Sequence, residues 1–306
     1  MTTISGICRD AAGDPVAGRL VRVERLDTGV QLGSALSGDG VTVQGGDPNY
    51  SNVSLLLHGN GANNSTTFTD SGPDARTVTR NGTNVVISTT QSKFGGASIY
   101  LPGGSGDYLT AASNADFDFG TGDFTIEFWA YATKSQPLDF LNFISSGTTR
   151  LLIYLNGGEL SFWDTTAGVN IQVAYSWPSG GASWVHFAWC RSGTTMRVFA
   201  NGVLLTTQTY SASSPSGCDV HIARSWTGGG GREFGGYIDD LRIKKGEALY
   251  TAAFTPPAAE LPGAGTLLPA GEYSIDCGAY TDDVIVYQYD PADLTIRPQI
   301  HFSEPV

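Results

Sequence analysis

The chain has 306 residues, 41% of them hydrophobic, with 17 Lys and Arg against 29 Asp and Glu and a formal net charge of -12. That balance argues against a nucleic-acid partner, because phosphate-backbone binding needs clustered cations to displace condensed counterions. No window approaches the roughly 20 apolar residues that span a bilayer, and Met1-Thr-Thr-Ile-Ser-Gly6 has no basic stretch ahead of an apolar run, so neither membrane insertion nor signal-peptide export is expected.

The 40 Gly and 14 Pro, set among frequent Thr, Ser, Val, Tyr and Phe, mark many short strands joined by tight turns: an all-β protein long enough for two folded units. From the start, strands are predicted over 3–8, 19–26 and 31–36, with turns at 10–15 and at Thr28-Gly29. Gly45-Gly46-Asp47-Pro48 reads as a linker. In the middle, Phe124, Ile126, Phe128 and Ala130 share one apolar face, with Thr125 and Glu127 on the other. Asn156-Gly157-Gly158 and Asn201-Gly202 each sit between alternating runs and predict hairpins, since a type I′ turn needs positive φ twice. In the run 236–243, Tyr237, Leu241 and Ile243 are expected on one face together with Asp239, and Asp240 on the other.

Helical signal is thin, limited to short turns near 111–115 or 247–250. Pro256-Pro257 and the stretch to Gly265 read as a second linker. Strands over 273–275, 284–289 and 295–302 end the chain. Neither flanking piece can close a sheet alone, so the two are expected to form one small discontinuous sandwich, 1–44 plus 266–306, around a central unit over 45–265; the alternative is two half-sandwiches that pair with neighbouring subunits by strand exchange. The cysteines Cys8, Cys190, Cys218 and Cys277 are too dispersed for metal or redox motifs, and buried reduced thiols are expected.

Three stretches carry a family resemblance in the centre: Ser54-Leu-Leu-Leu-His-Gly-Asn-Gly61 with 67–72, Tyr108-Leu109 with 116–129, and Gly236-Tyr-Ile-Asp-Asp-Leu-Arg-Ile243 with Phe254-Thr-Pro-Pro257. Over about residues 48–257 the chain resembles the concanavalin A-like, laminin G-like jelly rolls. Gly13-Asp14-Pro15-Val16-Ala17-Gly18, Ser37-Gly38-Asp39-Gly40 and, much later, Gly271-Glu272-Tyr273-Ser274-Ile275 are similar to the small prealbumin-like or carboxypeptidase-regulatory-like sandwiches of phage tail proteins. The resemblance implies an all-β architecture in which the jelly roll is inserted into the smaller sandwich.

Two kinds of site follow from residue chemistry. Flat rings beside hydrogen-bonding groups suit glycans, which makes Trp163, Asp164, Tyr175, Trp177, Trp226 and Arg232 the binding candidates, with Trp226 first because Gly228–Gly231 follows it. Trp129, Trp184 and Trp189 sit within strands and rank below them. A buried Asp239 must be compensated; backbone N–H groups of a neighbouring loop are the leading reading, and the competing one is a structural calcium held with Asp70 and carbonyl oxygens. No cofactor is required. Glu127 and Glu159 have no carboxylate two or four residues on, and no catalytic motif occurs, so no enzymatic activity is expected.

The resemblance implies a bacteriophage virion component, tail-associated as fibre, tip or decoration. It would be anchored to other virion proteins by the small sandwich, be homo-oligomeric, and display a lectin-like domain to host-surface glycan. The alternatives are a decoration protein without ligand and a polysaccharide-degrading enzyme.

Overall fold

The computed structural model describes residues 47, 49–178, 182–227 and 230–263, together with the backbones of five strands on either side of them. In chain order the strands are β1 (Leu20–Arg25), β2 (Val30–Leu36), β3 (Val53–Leu57), β4 (Val78–Asn81), β5 (Val86–Ser88), β6 (Ser98–Pro102), β7 (Tyr108–Ala111), β8 (Phe124–Ala132), β9 (Leu138–Ser145), β10 (Thr148–Asn156), β11 (Glu159–Asp164), β12 (Val169–Ala174), β13 (Trp184–Ser192), β14 (Thr195–Ala200), β15 (Val203–Thr209), β16 (Asp219–Ile222), β17 (Gly235–Lys245), β18 (Gly271–Asp276), β19 (Ile285–Asp290) and β20 (Thr295–Ile300). The chain divides into two compact units, Asn49–Leu261 and a discontinuous one made of Met1–Pro48 and Pro262–Val306. In the discontinuous unit one antiparallel sheet runs β2-β1-β18-β19-β20, with Val23 opposite Ile275. Val23 and Ile275 lie 252 residues apart in sequence, with the whole central unit inserted between them along the chain, yet their strands are neighbours in this sheet.

The central unit is a sandwich of two antiparallel sheets. Seven strands run β12-β11-β10-β9-β16-β7-β4, and the other sheet runs β15-β14-β13-β8-β17-β6-β5, with β3 pairing the far half of β17. Period-two alternation sends Phe124, Ile126, Phe128 and Ala130 of β8 inward, where they meet Phe140, Leu151, Ile153, Phe162, Phe187 and Trp189 in one core cluster. Burying each such aromatic is worth about 1.5–3 kcal/mol. Both predicted hairpins form: Asn156 faces Glu159 across Gly157 (φ 61) and Gly158 (φ 80), and Ala200 faces Val203 across Asn201 (φ 48) and Gly202 (φ 74). Among the described residues helix is limited to the 3-10 turns Tyr50–Asn52 and Ala115–Phe117 and the 3-10 residue Pro178; residues 247–250 are not helical. Cys190 and Cys218 are buried free thiols, and Cys8 and Cys277 lie outside the described residues.

Two expectations are corrected. The alternation of β17 breaks at Asp239-Asp240, where Asp240 takes φ 50 and the register to β8 shifts. This bulge puts Ile238, Leu241 and Ile243 in the core cluster while Tyr237 and Asp239 face outward, so Asp239 does not share the face of Leu241. The second concerns the linker expected from Pro256 to Gly265: up to Leu261 it continues a strap, residues 247–261, across the outer face of the eight-stranded sheet. Tyr250 and Phe254 stack on each other there and close over Ala188, Cys190 and Phe199. Leu249 donates its N–H to Thr125 Oγ1, Phe254 donates to Gly202 O, and Leu261 donates to Asp240 Oδ2.

Candidate functional site

Strands β9 to β11 hide one face in the core and present the other outward. The β10–β11 hairpin sets Leu152 opposite Trp163 and Tyr154 opposite Ser161, while Leu151, Ile153, Leu155 and Phe162 point into the core. Over this outer face lie residues 223–227 and 230–234, and Trp226 meets Trp163 with ring centres 5.6 Å apart at 42°. Leu152, Tyr154, Asn156, Trp163, Trp226 and Arg232 line a cavity of about 170 Å³ between them, and both tryptophans are partly exposed.

The loop is held by the sheet beneath it. Thr149 and Thr227 exchange backbone-to-hydroxyl bonds of 3.0 Å each, and Asn142 Nδ2 donates to Ser225 O at 3.1 Å. Asp139, fully buried, is the central fastener: its carboxylate accepts from Trp226 N–H at 3.1 Å, Arg232 Nε at 3.1 Å and Arg232 Nη2 at 2.9 Å, and its own N–H donates to Arg232 O. Burial pushes the Asp139 carboxyl above its ordinary value, with the Arg232 bonds opposing that rise. The guanidinium, four-fifths covered, also lies 5.2 Å from the Tyr154 ring centre. Such an arrangement offers two tilted rings for apolar faces and a fixed guanidinium and an amide for hydroxyl groups. Among the described residues lining the cavity there is no carboxylate, and Asp139 below it is committed to Arg232 and Trp226.

Three of the six binding candidates, Trp163, Trp226 and Arg232, are thus brought together; Gly228 and Gly229 lie outside the described residues. Asp164, Tyr175 and Trp177 are not part of the site. Asp164 follows Trp163 and so points the other way, where it accepts from Tyr210 OH at 2.6 Å and from Thr166 and Ala167 N–H. Trp177 is buried on Phe140 and Phe187 with its Nε1 donating to Ser183 O, and Tyr175 packs edge-on against Phe187. Their polar neighbours in sequence concealed core-edge positions. Sequence reasoning missed Tyr154, Asn156 and Asp139. The first two were within reach, because the Asn156 turn sets residues 152, 154, 156 and 163 on one face; Asp139, 87 residues from Trp226, was not.

Asp70 and Asp239 do not fit a shared cation site. Asp70 accepts from the N–H groups of Leu56, Gly72 and Arg76, which occupy both oxygens. Asp239 Oδ2 accepts from Lys93 and Phe94 N–H, the neighbouring-loop bonding that leads over a metal in the sequence. Among the described residues no group of three or more His, Cys, Asp or Glu is arranged to hold a metal. Burial pushes the Asp239 carboxyl up to about 7, the two amides opposing and Asp240 and Glu260 adding to the rise.

Of the two glutamates considered for catalysis, Glu127 lies fully buried under the strap. It accepts from Arg242 Nε and Nη2, from Tyr250 OH at 2.8 Å, and bonds His186 Nε2 at 3.1 Å. Burial would raise its carboxyl, but Arg242 and His186 outweigh that and hold it down at about 2. Glu159 is exposed at the start of β11, accepting from Gln172 Nε2.

The sequence profile of the concanavalin A-like lectin/glucanases superfamily matches residues 103–249. No curated protein matches the sequence. Among solved structures, the botulinum neurotoxin serotype G binding domain is similar at 15% identity with a TM-score of 0.51, covering 65% of this chain and 49% of that one. The binding domain of Paraclostridial Mosquitocidal Protein 1 aligns at 14% identity and TM-score 0.50 over 82% of this chain and 68% of that one. The receptor binding domain of botulinum neurotoxin D aligns at 12% and 0.50, covering 82% and 75%. The chain spans about half the length of the serotype G domain it resembles, and at these identities the likeness is one of fold. The superfamily profile, which spans β7 to β17, and these relatives in shape agree that the protein is an all-β sandwich with a concanavalin A-like fold.

Proposed function

We propose that the central unit is a non-catalytic lectin-like module that binds glycan at the Trp163–Trp226–Arg232 surface. The observation that carries this reading is the pair of partly exposed indoles 5.6 Å apart beside a guanidinium already fixed by Asp139. Sugar rings carry apolar C–H faces that stack on aromatic quadrupoles and hydroxyls that accept from fixed donors. The lectin and glucanase superfamily profile and the toxin binding-domain likenesses support a binding role. A non-catalytic reading is supported by the carboxylates: glycoside hydrolysis needs two of them flanking one bond, and Glu127 is consumed by a buried network away from the cavity.

The wider reading is a bacteriophage virion protein, tail-associated as fibre, tip or decoration, with the discontinuous unit anchoring the chain to other virion proteins and the central unit directed at host-surface glycan. Its support is the resemblance of residues 13–40 and 271–287 to small sandwiches of phage tail proteins, together with the pairing of β1 with β18, strands that flank the central unit in sequence. A glycan array with the parent and Trp226→Ala tests the site: binding by the parent is expected to drop at least tenfold in the variant, and equal binding by both refutes it. Release of reducing ends by the parent would show a hydrolase instead. Mass spectrometry of purified particles tests the location, and absence of the chain from them overturns it.

A further inference from the structure

The outer face of the eight-stranded sheet is covered only in part by the strap. Beyond the edge of that cover, one register row crosses four neighbouring strands: Tyr100 of β6 opposite Tyr237 of β17, Tyr237 opposite Tyr131 of β8, and Tyr131 opposite Trp184 of β13. All four side chains point away from the core, and Tyr100, Tyr131 and Trp184 are partly exposed. Their ring centres are spaced 5.1, 6.0 and 5.7 Å apart. At the Tyr100 end the row opens into a hollow of about 610 Å³ bordered by Asn63, Asn64, Asn84 and Thr90 as well as by Tyr100 and Tyr237. None of the described residues lining that hollow carries a formal charge.

We infer that this row and hollow form a second carbohydrate platform, distinct from the Trp163–Trp226 site on the other sheet, and that its ligand is a single soluble strand of neutral polysaccharide. Three partly exposed aromatics in one line, with the buried Tyr237 among them, leave a contiguous ring surface in water that a ligand would cover. Their spacing follows the strand-to-strand repeat of a sheet, about 4.7–4.9 Å, which is close to the length of one monosaccharide unit. Successive sugar faces can therefore meet successive rings. Amides and hydroxyls in the hollow match sugar hydroxyls, and the chain's net charge of -12 disfavours an acidic polymer. The ring planes turn by 42°, 76° and 59° along the row, so they share no plane and match a twisted free chain in place of a flat crystalline surface.

The test is affinity electrophoresis of the full chain in native gels containing soluble α-glucan, β-glucan, xylan or mannan. The parent is expected to be retarded by at least one of these, with apparent association falling tenfold or more in Tyr131→Ala/Trp184→Ala and staying at the parent value in Val203→Ser, a substitution at an exposed position outside either surface. Both replaced side chains are partly exposed, and a thermal melt checks that the double variant folds; Tyr131→Phe/Trp184→Tyr should restore retardation. Equal retardation of parent and double variant overturns the inference, as does a parent retarded in none of the gels. Depletion of the parent by microcrystalline cellulose overturns the soluble-strand assignment. Sedimentation showing a parent oligomer that the double variant dissociates would make the row a contact between copies of this chain, and would overturn it too.

Discussion

Replacing Arg232 with alanine removes the partner of a carboxylate that has no exposed surface of its own. Asp139 would keep only the Trp226 N–H, losing two charge-assisted bonds of 2.9 and 3.1 Å. Breaking a buried ion pair from one side costs about 3–5 kcal/mol, and the partial exposure of Arg232 puts this case near the lower figure, about 3 kcal/mol. For a unit of this size that is roughly 6–12 °C in Tm. The pH dependence identifies the cause. Burial already holds the Asp139 carboxyl above its ordinary value, and without Arg232 it rises further. The folded variant then binds a proton that the unfolded chain releases, so the destabilisation is small near pH 4 and grows as pH rises. Thermal melts of the parent, Arg232→Ala, Asp139→Asn and the double variant from pH 4 to 8 measure this, with Asp139→Asn expected to rescue Arg232→Ala at pH 8. A pH-independent loss, or additive effects in the double variant, would refute the reasoning.

The acid limb of stability should belong to Glu127. Its folded pKa lies near 2, below the unfolded 4.5, so its contribution, on the order of 3 kcal/mol, is complete above pH 4.5 and is lost as pH falls toward 2. Glu127→Gln should lower the urea midpoint at pH 7 and flatten this limb; parallel limbs in both proteins would count against it. Asp239 works in the opposite sense: with its pKa raised from 3.8 to about 7, the parent loses stability as pH rises through that window. Asp239→Asn, whose carbonyl can still accept from Lys93 and Phe94, should be more stable than the parent at pH 8 and equal to it near pH 3.5; a deficit at pH 8 contradicts this. Gly202→Ala drives a Cβ into Phe254 O on a residue at φ +74, which should cost upward of about 2 kcal/mol and release the strap. Limited proteolysis within 247–261 would detect the release, and unchanged protection would show that the strap tolerates the shift.

Local pattern was enough for what depends on neighbours in sequence. The alternation 124–130, the Asn156 and Asn201 turns and the scarcity of helix are consequences of side-chain period and of residues that tolerate positive φ, and each could be read without a fold. Glu127 was correctly set on the opposite face from Phe128, but that the opposite face is buried depends on Tyr250, 123 residues away. The phase of β17 failed at the Asp239-Asp240 bulge because a bulge in a run of uninterrupted apolar and acidic residues has no glycine to announce it.

Binding residues divide the same way. Aromatic type and polar context nominated six positions; only contact decides which are surface, since Trp177 and Trp226 look alike in sequence while one fills the core edge and the other lies over Trp163. The strand position of Trp184 ranked it low, yet it sits on an outward face beside Tyr131. From the sequence came the chemistry available to the protein: a sandwich, its hairpins, its acidity and a stock of aromatic rings. The tertiary structure alone determined which rings face water together and which carboxylates are already spent, because both depend on long-range pairing that no local window contains.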